Sequence, residues 1–177
     1  MATLFLLCGL PGTGKSTWAR AAETRGAVRL SVDDVVHDRR VVRAADDIYG
    51  GDDFRATRHT IEAELLDHAR RHLFAGVDVV YDEGLYTRAR RDTARAVALD
   101  CGADVRLLHL TVDPEVQWQR IDARNRDPRN RQSVLTPGQL AVAVTWFEAP
   151  DNEGEIVVDT TQPEQLGSPV DTAKAKS

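Results

Sequence analysis

Lysine is almost missing from this chain of 177 residues: of 23 basic side chains, only Lys15, Lys174 and Lys176 are lysines and the rest are arginines. A composition biased towards Arg, Ala and Asp accounts for the arginines at large, which leaves the position of Lys15 as the point of interest. Cysteine is scarce as well. Cys8 and Cys101 lie far apart and make no CxxC or metal-binding spacing; without a secretory signal the expected compartment is a reducing cytoplasm. Long apolar runs are lacking. The opening MATLFLLCGL has no basic leader and its apolar stretch is strand-length, so no signal peptide, membrane span or membrane partner is expected. Excess positive charge is lacking too. A net charge of −5 argues against holding nucleic acid over a broad basic surface, because such binding is driven by phosphate neutralisation. There are no internal repeats or heptads. What is present, 42% hydrophobic and 29% charged residues, is the composition of a soluble globular protein of one domain.

Short apolar runs alternate with segments of helical periodicity. Thr3–Cys8 reads as a strand buried on both faces, followed by strands at Ala27–Val32, Val77–Tyr81, Asp104–Val112 and Ile156–Val158. Helices are expected over Thr17–Thr24, over Arg55–Phe74, from a Thr87 cap to Leu99, from Asp113-Pro114 to Arg126, and from Thr136-Pro137 with Leu140, Val144 and Phe147. Residues 35–54, rich in Asp and Arg, support no assignment. Strands alternating with helices predict an α/β, three-layer fold on a mostly parallel five-stranded sheet, spanning residues 1–161, with a polar tail over 162–177.

The chemistry is concentrated after the first strand. Gly9-Leu10-Pro11-Gly12-Thr13-Gly14-Lys15-Ser16 is a complete G-x-x-x-x-G-K-[ST] sequence, placed between a buried strand and a helix. Gly9, Gly12, Thr13, Gly14, Ser16 and Thr17 are the expected phosphate cradle, because glycines let backbone N–H groups close around phosphate oxygens and the helix N-terminus favours an anion. Lys15 is expected to reach the β- and γ-phosphates, and the Ser16 hydroxyl to ligate Mg²⁺. A closed loop calls for a compact ammonium on a thin stem, so this nearly lysine-free chain keeps its lysine where arginine does not substitute. The fold class is accordingly that of a P-loop nucleoside-triphosphate-binding domain, with ATP and Mg²⁺ as expected cofactors.

Three further sites bear on what the nucleotide is for. Asp33-Asp34 falls at the carboxyl end of the second strand, where α/β sheets collect ligands, and a carboxylate there can accept the proton of an attacking hydroxyl. Val79-Val80-Tyr81-Asp82 has the apolar-run-then-Asp form of a Walker B strand, which makes Asp82 a candidate for orienting Mg²⁺. Arg120, Arg124, Arg126, Arg129 and Arg131 crowd into twelve residues with only Asp122 and Asp127 as acids. Arg120 and Arg124 share a helix face and read as a phosphate clamp on a mobile lid over about residues 115–135. Glu64, His68 and His72 also share a helix face, but nothing completes a metal site and a solvated face is the expected reading. Trp18, Trp118 and Trp146 read as packing residues, with Trp118 close enough to the arginines to neighbour an adenine.

Together these pieces resemble the AAA-type P-loop kinases, the family that includes the 5′-kinase domain of phage polynucleotide kinase. The likeness is closest over GLPGTGKSTWAR, residues 9–20, and continues at Ser31-Val32-Asp33-Asp34, at Asp82 with the following Arg88–Arg91, and at Arg120 and Arg124. It implies that Asp33 is the general base, with Asp34, Asp82 and Arg88 on the substrate side. It also implies that Arg124 bridges the phosphates with Arg120 as companion, and that adenine lies between the lid and the last loop. The ending Val158-Asp159-Thr160-Thr161 is also similar to small antibiotic phosphotransferases of the chloramphenicol type. The nucleic-acid kinases of the family carry an arginine three residues after the base, where this chain has Val36.

The expected function is therefore transfer of the γ-phosphate of ATP to a hydroxyl. From Asp33 to Asp53 the chain holds seven Asp and three Arg, a net −4 that favours a small neutral or cationic acceptor over a polyanion. A polynucleotide or nucleotide 5′-hydroxyl is the alternative. An ATPase without acceptor, with Glu83 activating water, is a further one; a non-catalytic nucleotide-binding module would need no base.

Overall fold

The computed structural model describes residues 1–41, 52–130, 132 and 134–162. Five strands, β1 (Thr3–Cys8), β2 (Val28–Ser31), β3 (Val79–Asp82), β4 (Asp104–Thr111) and β5 (Ile156–Asp159), form one sheet in the order β2-β3-β1-β4-β5. Every pairing is parallel, so the sheet is more uniform than the mostly parallel one expected. Among the described residues six helices connect them: α1 (Lys15–Glu23), α2 (Val32–Asp38), α3 (Asp52–Phe74), α4 (Arg88–Asp100), α5 (Pro114–Arg126) and α6 (Pro137–Trp146). This is the three-layer α/β architecture of P-loop proteins.

Parallel strands need crossover helices, and those helices bury both faces of the sheet. On one face Leu4, Leu6, Cys8, Val79 and Tyr81 pack with Ile61, Leu65, Ala69 and Leu73 of α3 and with Ala94, Val97 and Ala98 of α4. On the other, Leu7, Val80, Leu108 and Leu110 pack with Trp18, Ala19 and Ala22 of α1. The strand-length apolar stretches of β1 and β4 are thus explained by burial from both sides. The register sets Ser31 opposite Asp82, so β2 and β3 end side by side at the carboxyl edge of the sheet.

The largest departure from the sequence reading lies after β2. The strand stops at Ser31, whose hydroxyl accepts a hydrogen bond from the Asp34 N–H (3.3 Å) and caps α2. Asp33 and Asp34, expected at the carboxyl end of the strand, therefore occupy the first turn of a helix, where two carboxylates complement the helix dipole. Helix α1 starts two residues earlier than expected, directly on Lys15, because Gly14 takes a left-handed conformation (φ 87°) as its N-cap. Helix α3 starts three residues early, at Asp52. Arg43, Asp46 and Asp47 of the acidic segment, Arg131, and the tail beyond residue 162 lie outside the described residues.

A buried ion pair closes the structure behind the site. The Arg91 guanidinium, 1% exposed, forks onto the Glu153 carboxylate (2.6 and 3.0 Å), and its third nitrogen donates to the carbonyls of Leu85 (3.0 Å) and Glu148 (2.9 Å). It thereby ties α4 to the loop after β3 and to the segment before β5. The hydrogen bonds from Arg91, aided by Arg95, hold the Glu153 carboxyl down at about 2 against burial that would raise it. A carboxylate depressed this way stabilises the fold above its ordinary range near 4.5, and that stabilisation disappears as pH falls towards 2. Replacing Glu153 with Gln should remove this acid-sensitive step, and Arg91→Leu, which leaves the buried Glu153 with Arg95 alone (2.8 Å), should cost up to about 3–5 kcal/mol in urea unfolding at neutral pH.

Candidate active site

The loop between β1 and α1 is shaped by what surrounds it. A Cβ on Gly9, whose φ is +150°, would lie 2.5 Å from the Leu110 carbonyl oxygen, so only glycine lets β1 turn away from β4 there. Gly12, at φ +83°, would place a Cβ 2.9 Å from Ile121 Cγ1 and 3.1 Å from Gln117 Cγ, which shows how closely α5 sits under the loop. The Gly9 N–H donates to the Gly84 carbonyl (3.3 Å), joining the loop to the end of β3. Lys15 Nζ arches back and donates to the carbonyls of Gly9 (2.7 Å) and Leu10 (2.8 Å). Burial lowers the pKa of this ammonium, while the nearby carboxylates of Asp82, Glu83 and Asp33 oppose that drop.

Beside the lysine, the ends of β2 and β3 present a chain of alternating charges. Arg29 donates to Asp82 Oδ2 through Nε (2.9 Å) and Nη2 (2.7 Å), and to Asp34 Oδ2 through Nη1 (2.5 Å). Burial raises the Asp82 pKa, and Arg29, Lys15 and the Ser16 hydroxyl pull it back. The second Asp82 oxygen, Oδ1, accepts from Ser16 Oγ at 3.3 Å. These two hard oxygens fit Mg²⁺, which takes one or two protein oxygens and completes its octahedron with phosphate oxygens and water. Among the described residues no group of three or more His, Cys, Asp or Glu could hold a metal by itself; Glu64 pairs with Arg39 at the surface (2.5 Å) and His68 is exposed.

Asp33 is the meeting point of three elements. Its side chain remains 45% exposed, yet Oδ1 accepts from Arg58 Nη1 of α3 (3.1 Å) and Oδ2 from Gln132 Nε2 (3.2 Å). Arg58 continues to the buried Glu83 (2.6 Å) and lies 3.4 Å from Glu62, and Arg90 of α4 pairs with Glu62 and lies 3.8 Å from Glu83. Burial would lower the Arg58 pKa, but Glu83, Asp33 and Glu62 drive it above its ordinary value. Arg124 Nη1 donates to Gln132 Oε1 (2.6 Å), so the arginine reaches the aspartate through one amide. Arg124 Nε is buried without a hydrogen-bond partner among the described residues.

Some expected residues stand elsewhere. Arg120 and Arg124 share a helix face, but their long side chains diverge: Arg120 donates to Thr160 Oγ1 (3.0 Å) and to the Thr160 carbonyl (2.6 Å). Arg88 lies on the surface at 59% exposure, 3.6 Å from Asp92, and only its backbone N–H reaches inward, to Glu148 (2.7 Å). Thr17 is exposed and Trp118 half-buried. The first half of α5 is packed on the loop through Gln117 and Ile121, so within the proposed lid segment these residues are part of the frame. Sequence reasoning passed over Arg29, Arg58, Glu62, Gln132 and the role of Thr160. Only the i, i+4 spacing of Arg58 and Glu62 carried a signal, and that spacing is common on any helix.

The family model for the AAA domain matches residues 4–150. No curated protein matches the sequence. Among solved structures, a candidate kinase from Chloroflexus aurantiacus superposes with a TM-score of 0.70 at 20% identity over 93% of this chain and 91% of its own. A sugar kinase from Janibacter sp. gives 0.62 at 20% identity, covering 94% and 91%. A gluconokinase from Sinorhizobium meliloti gives 0.61 at 19% identity, covering 93% and 87%. Identities this low show a shared fold.

Arg29 is the residue on which the buried carboxylate of Asp82 depends. Arg29→Met should leave that carboxylate without its ion-pair partner in a dry setting, with only the Ser16 hydroxyl bonded to it, and destabilise the protein by about 3–5 kcal/mol at pH 7 in urea unfolding. The loss should shrink at acid pH, where Asp82 binds a proton and no longer needs a cation.

Proposed function

Because the chain belongs to the AAA domain family, matched over residues 4–150, we propose that its P-loop presents ATP to a hydroxyl-bearing small molecule and that Asp33 is the general base. The observation that carries this reading is the position of Asp33. One partly exposed carboxylate lies within electrostatic reach of both the P-loop lysine and Arg124, and it is bonded to neither. A base in that position can take the proton of an acceptor oxygen while that oxygen forms its bond to the γ-phosphorus, and the bond to the β-bridging oxygen breaks to release ADP. The sugar kinase and gluconokinase that share the fold are consistent with a small acceptor.

The residues then divide the work. The loop from Gly9 to Thr17 receives the phosphates, and Lys15 exchanges its loop carbonyls for phosphate oxygens. Ser16 and Asp82 would hold Mg²⁺, whose chemistry is to neutralise phosphate charge. Arg124 supports the transferring group: a buried guanidinium N–H without a partner is costly in a folded protein, and an anionic ligand supplies what it lacks. Adenine has room at the open depression lined by Thr111, Val112, Asp113, Asp159 and Thr161, at the ends of β4 and β5.

Among the described residues, the carboxylates around Asp33 and Asp34 are partly offset by arginines from outside the Asp33–Asp53 segment. Arg58 and Arg90 stand among Asp33, Glu62 and Glu83, and Arg29 stands between Asp34 and Asp82. Three guanidiniums against five carboxylates leave a reduced negative excess, which favours a neutral or cationic acceptor and disfavours a polyanion that would have to separate buried pairs. Val36, at the position of the nucleic-acid kinases' arginine, packs against the core. Glu83 is 6% exposed and bonded to Arg58, which leaves it poorly placed to activate water for simple hydrolysis.

Asp33→Asn should lower transfer by about 10²–10⁴-fold while ADP binding stays intact, measured with labelled ATP and a panel of neutral polyols, aminoglycosides and nucleosides. Full activity in that variant removes Asp33 as the base. Labelling only of oligonucleotides with a free 5′-hydroxyl would move the assignment to a polynucleotide kinase, and phosphate release without any acceptor would move it to an ATPase.

A further inference from the structure

Thr160 is wholly buried, directly after β5, and its hydroxyl joins three parts of the chain. Its Oγ1 lies 2.9 Å from the Thr13 carbonyl oxygen and 3.0 Å from the Thr111 carbonyl oxygen, while Arg120 Nη1 sits 3.0 Å away on another side. A guanidinium only donates, so Oγ1 must accept from Arg120 and spend its single proton on the two carbonyls. The backbone fixes the rest: the Thr160 N–H donates to the Thr111 carbonyl (2.8 Å), and Arg120 Nη2 binds the Thr160 carbonyl (2.6 Å). Neither the position nor the hydrogen-bond sense of this hydroxyl is free.

Its consequence falls on the P-loop. In a trans peptide the C=O and the following N–H point in opposite directions. Anchoring the Thr13 carbonyl to Thr160 therefore turns the Gly14 N–H away from Thr160, towards the side where the loop closes. Gln117 holds the peptide two residues earlier in the same manner, because its Nε2 donates to the Pro11 carbonyl (2.7 Å) and so turns the Gly12 N–H away from Gln117. Gly12 and Gly14 both have positive φ, at 83° and 87°, and a glycine-flanked peptide is the kind most able to flip when nothing holds it.

We propose that Thr160 is a positioning residue for the nucleotide phosphates, holding the Thr13–Gly14 peptide in the orientation that offers the Gly14 N–H to a phosphate oxygen, with Arg120 as the strut that keeps its hydroxyl aimed. The proposal rests on the reading that this loop binds a nucleoside triphosphate. It assigns Arg120 to the architecture of the loop instead of to direct contact with the phosphates, and it gives the residue that follows β5 a part in nucleotide binding without touching the phosphates.

The test uses the full chain and ADP as probe. Thr160→Val keeps the shape and removes the hydroxyl; ADP binding by calorimetry should weaken about tenfold or more, and KM for ATP should rise while kcat changes little. Thr160→Ser should restore binding to within about twofold. Arg120→Met should weaken ADP binding in the same sense, and the double variant should be no worse than the poorer single one, since both act on one chain of bonds. Should Thr160→Val fail to fold, the Ser and Met variants carry the comparison, with melting temperature without nucleotide as the control for stability.

Normal ADP binding in Thr160→Val, no rescue by serine, or additive losses in the double variant would overturn the proposal, as would a fall in kcat alone for Arg120→Met. Lys15→Ala separates the two claims. If it loses ADP binding while Thr160→Val does not, the nucleotide reading stands and the positioning role fails; if the unaltered protein does not bind ADP, both fail.

Discussion

Charge burial at the carboxyl edge of the sheet is the constraint from which the rest of the site follows. Pairing Ser31 with Asp82 puts a carboxylate where only 6% of the residue meets water. An ion so placed must be matched or it will neutralise itself by taking a proton. Arg29 meets it from the neighbouring strand, Ser16 from the P-loop, and Lys15 lies close enough to act on it through space. Glu83, next in sequence, repeats the problem and is met by Arg58 from α3 and Arg90 from α4. The helices on that face are therefore positioned by electrostatic need as well as by the apolar stripe of Ile61, Leu65, Ala69 and Leu73.

The same network explains why an arginine-rich chain keeps a lysine in the loop. Lys15 must sit beside three acids, bond to two carbonyls of its own loop, and still be able to leave them. A planar guanidinium forked onto Asp82 or Glu83 would be held there, as Arg29 and Arg58 are; an ammonium makes point contacts that a phosphate can replace. Arginine serves where a fixed bridge is wanted, and the site contains both kinds of cation side by side.

Much of this was legible in the residues. The strand–loop–helix order around Gly9–Ser16, the apolar runs of β1, β3 and β4, and the caps at Thr87, Asp113 and Thr136 are local signals, and each appears where local chemistry places it. The helix over Val32–Asp38 was hidden because it is short and follows the strand with no intervening loop; its local marks were the Ser31 cap and the two aspartates of its first turn. Arg29 and Arg58 were hidden for a different reason: each is one arginine among twenty, and nothing near it in sequence distinguishes a residue that will meet Asp82 or Asp33.

The sequence by itself determined the fold class, the phosphate loop and the carboxylates at the strand ends, since those depend on periodicity and on residues within a few positions of one another. Tertiary structure alone decided how the arginines divide. Arg120 and Arg124 are equivalent on a helical wheel, yet one reaches Thr160 across 40 positions of sequence and the other reaches Gln132 and, through it, Asp33. A long cation goes to whichever acceptor the packing brings within its reach, and the packing of β5 and α3 around the P-loop is a property of the whole chain.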